Sequence, residues 1–177
     1  MLDQLKEEDF QTPVSASFDL ENARNSNVKI QHKYTLGDTD MQTFSVRYDP
    51  NDKYIAAGCG DGCVRIYNTF TSKLSFVLSQ NLAEPTPVTC VRWRPLQAPG
   101  VTKNVILTVT SSGYLQHWHT TSGKLLHTIY DELNPLLTAD FNPDGTLFAT
   151  TGNDCHIRVY DEQTRKLKID FDGGEGT

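Results

Sequence analysis

Four cysteines and a pair of histidines are the residues in this chain whose chemistry is easiest to imagine. Cys59 and Cys63 flank a turn, Cys90 and Cys155 lie farther along, and His156 follows Cys155 directly. Thiolates and imidazoles bind zinc, but structural zinc sites favour paired short C-x-x-C ligations. These cysteines stand instead at strand positions of separate segments, where a small apolar side chain packs. The run His117-Trp118-His119 places two imidazoles on one side of a strand, which suits a metal pair. No carboxylate or third histidine stands beside them in sequence, so packing or solvent exposure is expected. The reading is of reduced thiols, no metal and no cofactor.

Hydrolytic and transfer chemistry leaves equally thin traces. No serine sits in a nucleophile-elbow context, no H-E-x-x-H occurs, and the acids are scattered. Asp61 and Asp154 are the carboxylates with the strongest claim to a role. They recur at the same place in similar segments, which points to a structural turn held by bonds to backbone amides rather than to catalysis. Arg65 and Arg158 recur beside them. Clamps for phosphate seldom repeat in this way, so each is expected to pack its stem and pair its head with an acid. Gly58 to Gly62 (GCGDG) has the composition of a phosphate loop, yet a dinucleotide fingerprint opens a helix, and this one opens CVRIY, a strand pattern. The expectation is a protein that is not an enzyme.

The elements that position these residues come from a repeated phrase. FSVRYDPNDKYIAAGCGDGCVRIYN, Phe44 to Asn68, returns as LTADFNPDGTLFATTGNDCHIRVYD, Leu137 to Asp161, with Pro50 matched by Pro143, Asp61 by Asp154, Arg65 by Arg158 and Tyr67 by Tyr160. A third copy opens at Val88 with VTCVRWRP and closes at His119 with SSGYLQHWH. There Ser112 replaces the turn Asp, Gln116 replaces the Arg, and Leu96 to Asn104 lengthens one turn. That lengthening reads as a surface excursion tolerant of shortening. A period of roughly 40 to 45 residues marks a propeller or solenoid array. Each copy alternates apolar and polar residues at the strand period between turns such as Gly60-Asp61-Gly62, and none shows a helical period. The strands expected are Phe44 to Tyr48, Tyr54 to Gly58, Val64 to Tyr67 and Leu74 to Leu78; then Val88 to Trp93, Val105 to Thr110, Tyr114 to Trp118 and Lys124 to Ile129; then Leu136 to Phe141, Leu147 to Thr151, His156 to Tyr160 and Leu167 to Phe171. A lone strand is expected before them over Val28 to Leu36.

On the strand-ending prolines, the turn acids and the closing pairs Tyr67-Asn68, Trp118-His119 and Tyr160-Asp161, the chain resembles the WD40 repeat family. The Gly-His dipeptide of that family is absent, with Gly37-Asp38 its nearest trace. The resemblance implies an all-β fold: three four-stranded antiparallel β-propeller blades plus the N-terminal strand, part of a larger propeller or one completed by association. It also implies a noncatalytic scaffold for protein–protein interactions in a multiprotein assembly. A substrate receptor or signalling adaptor is the alternative, and a propeller enzyme with a rim active site a second. Partner-binding candidates are chosen on the connections between repeats and a hairpin tip: Gln42, Asn81, Glu84, Tyr130, Glu132 and Asn153.

Charge limits the partners. The net charge is −6, and residues 1–28 hold six acids against two bases. Without a basic face, a primary nucleic-acid role is not expected. No apolar run is long enough to cross a bilayer and the first ten residues are too acidic for a signal peptide, so no membrane partner is expected and the setting read is cytoplasmic, with cytoskeletal, ciliary and nuclear variants open. Residues 1–27 read as a polar acidic arm and residues 28–177 as the repeat region. Because three blades leave two sheet faces without a neighbour and the chain stops where another repeat would begin, completion by further blades or by self-association is expected.

Overall fold

The computed structural model describes residues 31–33, 35, 36, 40–79, 84–100 and 102–173. The described residues form twelve strands and no helix. All twelve lie in one compact unit, Gly37–Thr177. The first sheet is built from β1 (Thr43–Tyr48), β2 (Tyr54–Cys59), β3 (Cys63–Asn68) and β4 (Leu74–Ser79). The second holds β5 (Val88–Trp93), β6 (Val105–Thr110), β7 (Tyr114–His119) and β8 (Lys124–Tyr130). The third holds β9 (Leu136–Phe141), β10 (Leu147–Gly152), β11 (His156–Asp161) and β12 (Leu167–Asp172). Each sheet is antiparallel with its strands in chain order. These match the three four-stranded antiparallel blades expected from the sequence.

Repetition extends to irregularities. In every blade the pairing of the third strand with the fourth shifts just before the closing aromatic, between Ile66 and Tyr67, His117 and Trp118, and Val159 and Tyr160. A bulge raises the local twist, and its recurrence at one register position bends the three outer edges alike.

The blades stack through their faces. Ala56, Val64, Ile66 and Leu78 of the first meet Val88, Val91, Ile106 and Trp118 of the second. The other side of the second, with Cys90, Leu107, Val109 and Leu115, packs on Leu136, Ala139, Phe148 and Tyr160 of the third. A strand covered on both faces needs apolar residues throughout, which is why β6 reads VILTVT and is buried along its whole length. Polar ties cross the same interfaces: the Val91 amide donates to Ser45 Oγ at 3.2 Å, and Thr89 Oγ1 donates to the Leu136 carbonyl at 2.7 Å.

Two expectations need adjusting. The lone strand over Val28 to Leu36 falls largely outside the described residues, and those described there, 31–33, 35 and 36, carry no strand; the arm over 1–27 lies outside them altogether. The lengthened turn after Pro95 is mostly exposed but not free. Ala98 is buried against Gly145 of the third blade, and Arg94 Nη2 donates to the Thr102 carbonyl. A small side chain at 98 fits where the φ of +67° at Gly145 brings the backbone close.

Candidate functional site

At one end of the strands, here called the rim, the hairpins β2–β3, β6–β7 and β10–β11 meet the connections that lead from each blade to the next. Backbone bonds fix this arrangement. The Gly60 amide donates to the Gln42 carbonyl at 2.9 Å, Ser111 to Pro87 at 3.1 Å, Asp131 to Gly113 at 2.9 Å and Asn153 to Pro135 at 3.1 Å. Each connection is thus bonded to a blade tip. A glycine is required at 62, where φ is +79° and a Cβ would sit 2.8 Å from that of Pro85. Of the residues singled out in sequence, Gln42, Glu84, Tyr130, Glu132 and Asn153 are all exposed at this rim. Asn81 lies outside the described residues.

A residue that sequence reasoning passed over is the most prominent of the rim. Leu133 is 89% exposed with φ at +56°. Its neighbour Asn134 is buried and anchors the loop: its Nδ2 donates to Asp131 Oδ2 at 2.8 Å, and its Oδ1 accepts from the Asp154 amide at 3.3 Å. Tyr130, 52% exposed, packs at a tilt against Tyr114, with 4.8 Å between ring centroids. A large aliphatic group held in solvent by a rigid loop costs little entropy to bind and is suited to enter a partner's pocket. The signal in sequence was one leucine within an otherwise polar connection.

Beneath the rim sit the repeated acids and arginines. Asp61 Oδ1 accepts the Cys63 amide at 3.1 Å and both its oxygens take the Arg65 guanidinium, at 3.0 and 2.7 Å. That pairing holds the Asp61 carboxyl below its ordinary value. Asp154 Oδ1 accepts the His156 amide at 3.2 Å, and Arg158 reaches Asp154 at 2.5 Å and Asp131, from the preceding connection, at 3.1 Å. Burial pushes the Asp154 carboxyl up, but the Arg158 and His156 bonds outweigh it and the net direction is down. In the middle blade the hydroxyls of Ser112, Thr86 and Thr110 bond in a chain at 2.6 and 3.1 Å, and Thr110 Oγ1 takes the Tyr114 amide at 3.1 Å. Gln116, in the place of the arginine, is buried.

A second cluster ties the middle blade to the third. His117 is fully buried, and its Nε2 donates at 3.1 Å to Oε2 of Glu162, itself 1% exposed. Glu162 also pairs with Arg94 at 3.2 Å and Arg165 at 2.5 Å. Burial pushes the His117 imidazole down, so it is neutral, with the proton on Nε2 and an unpartnered Nδ1. For Glu162, burial pushes upward, yet the bonds from His117 and Arg165 hold the carboxyl below its usual range. The carboxylate that accompanies His117 comes from the next repeat, where adjacency in sequence could not reveal it. His119 instead bonds Ser122 at 2.6 Å and Thr121 at 3.3 Å. The four cysteines are free thiols, and no group of three or more His, Cys, Asp or Glu is placed to hold a metal among the described residues.

The family model "WD domain, G-beta repeat" matches residues 31–68 and 123–161. These two segments are WD40 repeats. Each matched WD40 segment ends on a closing aromatic and its successor, Tyr67-Asn68 or Tyr160-Asp161, while the middle copy, with Ser112 and Gln116 in place of Asp and Arg, is not matched. Protein HIR1 of Chaetomium globosum is 25% identical over 128 residues, which are 66% of this chain and 12% of that protein. Striatin of Mus musculus is 22% identical over 126 residues, 71% of this chain and 16% of striatin. A chain in a crystal structure of the mitotic checkpoint complex superposes with a TM-score of 0.64 at 18% identity, over 76% of this chain and 38% of that one. The chain therefore spans a small part of the length of these curated relatives.

Proposed function

We propose that this WD40 chain is a noncatalytic scaffold that binds other proteins within a multiprotein assembly, through the rim. The observation that carries this is Leu133, exposed beside Tyr130 on a connection locked by the buried Asn134. Binding energy concentrates in a few large side chains presented on rigid supports. Support comes also from WD40 repeats being generally noncatalytic scaffolds and from the likeness to a chain of the mitotic checkpoint complex. A cytoplasmic setting belongs to the same proposal. Which assembly it serves, whether as adaptor or substrate receptor, is a matter of partner identity.

The test is affinity capture of the full chain from its native cells, with cross-links located by mass spectrometry. A Tyr130→Ala/Leu133→Asp variant with an unchanged melting temperature should lose its partners, whose cross-links in the parent should fall on the rim. Retention of every partner by that variant would overturn the assignment of the rim.

A further inference from the structure

At the end of the strands opposite the rim, the fifth residues of the inner strands occupy one register: Arg47 in β1, Arg92 in β5 and Asp140 in β9. Their charges are not used alike. Arg92 Nε lies 3.3 Å from Asp140 Oδ1, and its Nη1 donates to the Val91 carbonyl at 2.9 Å. Arg47 Nη1 donates to the carbonyl of its neighbour Val46, at 2.8 Å, and no carboxylate lies within ion-pair reach of it among the described residues. The guanidinium is exposed.

Arg47 and Arg92 line an open groove of about 470 Å³ together with Tyr48, Trp93, Leu96 and Asp140. Trp93 is fixed there, because its Nε1 donates to the Arg47 carbonyl at 3.2 Å and so bridges two blades. Tyr48 and Leu96 are 57% and 51% exposed. Two guanidiniums against one carboxylate leave the groove positive in a chain whose net charge is −6. A planar guanidinium takes a carboxylate in two parallel bonds, and the flanking tryptophan and leucine offer apolar surface to the residue beside it.

We propose that this groove is a second protein-binding site, which takes an acidic peptide segment of a partner: an Asp or Glu on Arg47, with an adjacent Leu or Phe against Trp93 and Leu96. The inference rests on the reading of the chain as a protein-binding scaffold, and adds to it a site remote from the rim. A basic or neutral segment lacks the charge the groove calls for.

The probe is a short fluorescent peptide alternating Glu with Leu and Phe, titrated by anisotropy into the full chain; matched peptides carry Gln or Lys in place of Glu. Saturable binding of the Glu peptide is expected, weakened roughly tenfold or more by Arg47→Glu and by the change to Gln. The Lys peptide should bind Arg47→Glu better than the parent, which excludes simple misfolding of the variant. Leu133→Asp should leave binding unchanged. No binding by the parent, equal affinity for the Glu and Gln peptides, or indifference to Arg47→Glu would overturn the groove proposal while leaving the rim reading intact. Loss of peptide binding in Leu133→Asp would overturn the separation of the two sites.

Discussion

At the scale of single residues, the acid at the rim turn separates the three blades. Asp154 accepts the His156 amide and pairs with Arg158, which also holds Asp131 of the preceding connection. Asp154→Ala therefore removes a turn bond and loosens a tie between blades, and should cost about 1 to 2 kcal/mol in denaturant unfolding. Ser112→Ala should also be measurable, at about 0.5 to 1 kcal/mol, because its hydroxyl links Thr86 and Thr110. Equal costs at the two sites would show that the acid contributes nothing a hydroxyl does not. The buried pair gives a pH dependence of definite sign. His117 titrates below its ordinary 6.5 in the folded chain, so an unfolded imidazole takes up a proton that the folded one refuses, and stability present above 6.5 is lost as pH falls. Glu162 acts in the same direction at lower pH, since its depressed carboxyl gives stability that is lost once it is protonated. His156, raised by its bond to Asp170, works oppositely and loses its contribution as pH rises, but it is exposed. The urea midpoint should fall between about pH 7.5 and 5.5, and His117→Phe, which keeps an aromatic ring there, should flatten that fall. An unchanged slope in His117→Phe would place the pH dependence elsewhere.

Among elements, the strands are legible in the sequence because two signals coincide. Apolar alternation at period two is interrupted by Gly60-Asp61-Gly62, Asp144-Gly145 and their kin, whose conformations end a strand. Most observed boundaries differ from the expected ones by a residue at most, as at Cys59, His119, Tyr130, Gly152, Asp161 and Asp172. What stays hidden is whatever depends on neighbouring blades. The loop after Pro95 has the proline, glycine and polarity of a free excursion, yet Ala98 is pinned by Gly145, a residue of the next repeat. Leu133 is hidden for a related reason: a leucine in a connection reads as packed, and only the burial of Asn134 beside it turns it outward. The loop yields a prediction of its own. Removing Pro99 and Gly100, both exposed, should change stability by no more than about 0.5 kcal/mol, whereas Ala98→Asp buries a charge without a partner and should cost about 2 kcal/mol or more. Thermal melts of the two variants check it; a cheap Ala98→Asp would mean the contact is dispensable.

For the molecule as a whole, the middle blade is covered on both faces and its neighbours on one. The face of the first that turns from the second carries Phe44, Val46 and Tyr48, and the far side of the third carries Ile157, Ile169 and Phe171, all about half exposed. Apolar sheet faces of this kind drive association. The isolated polypeptide of residues 1–177 should therefore sediment as concentration-dependent oligomers in the micromolar range, and Ile157→Lys with Ile169→Lys should shift it toward monomer; a monomer at every concentration would sink this. The tie between His117 and Glu162 also bears on how the chain is made. The two lie 45 residues apart, so on a ribosome adding about 5 to 20 residues per second the acid arrives roughly two to nine seconds after the imidazole. From the completion of β8 at Tyr130 until Glu162 is added, the middle blade has its strands but not the carboxylate its histidine is buried against. The third blade thus supplies the group that seals the second.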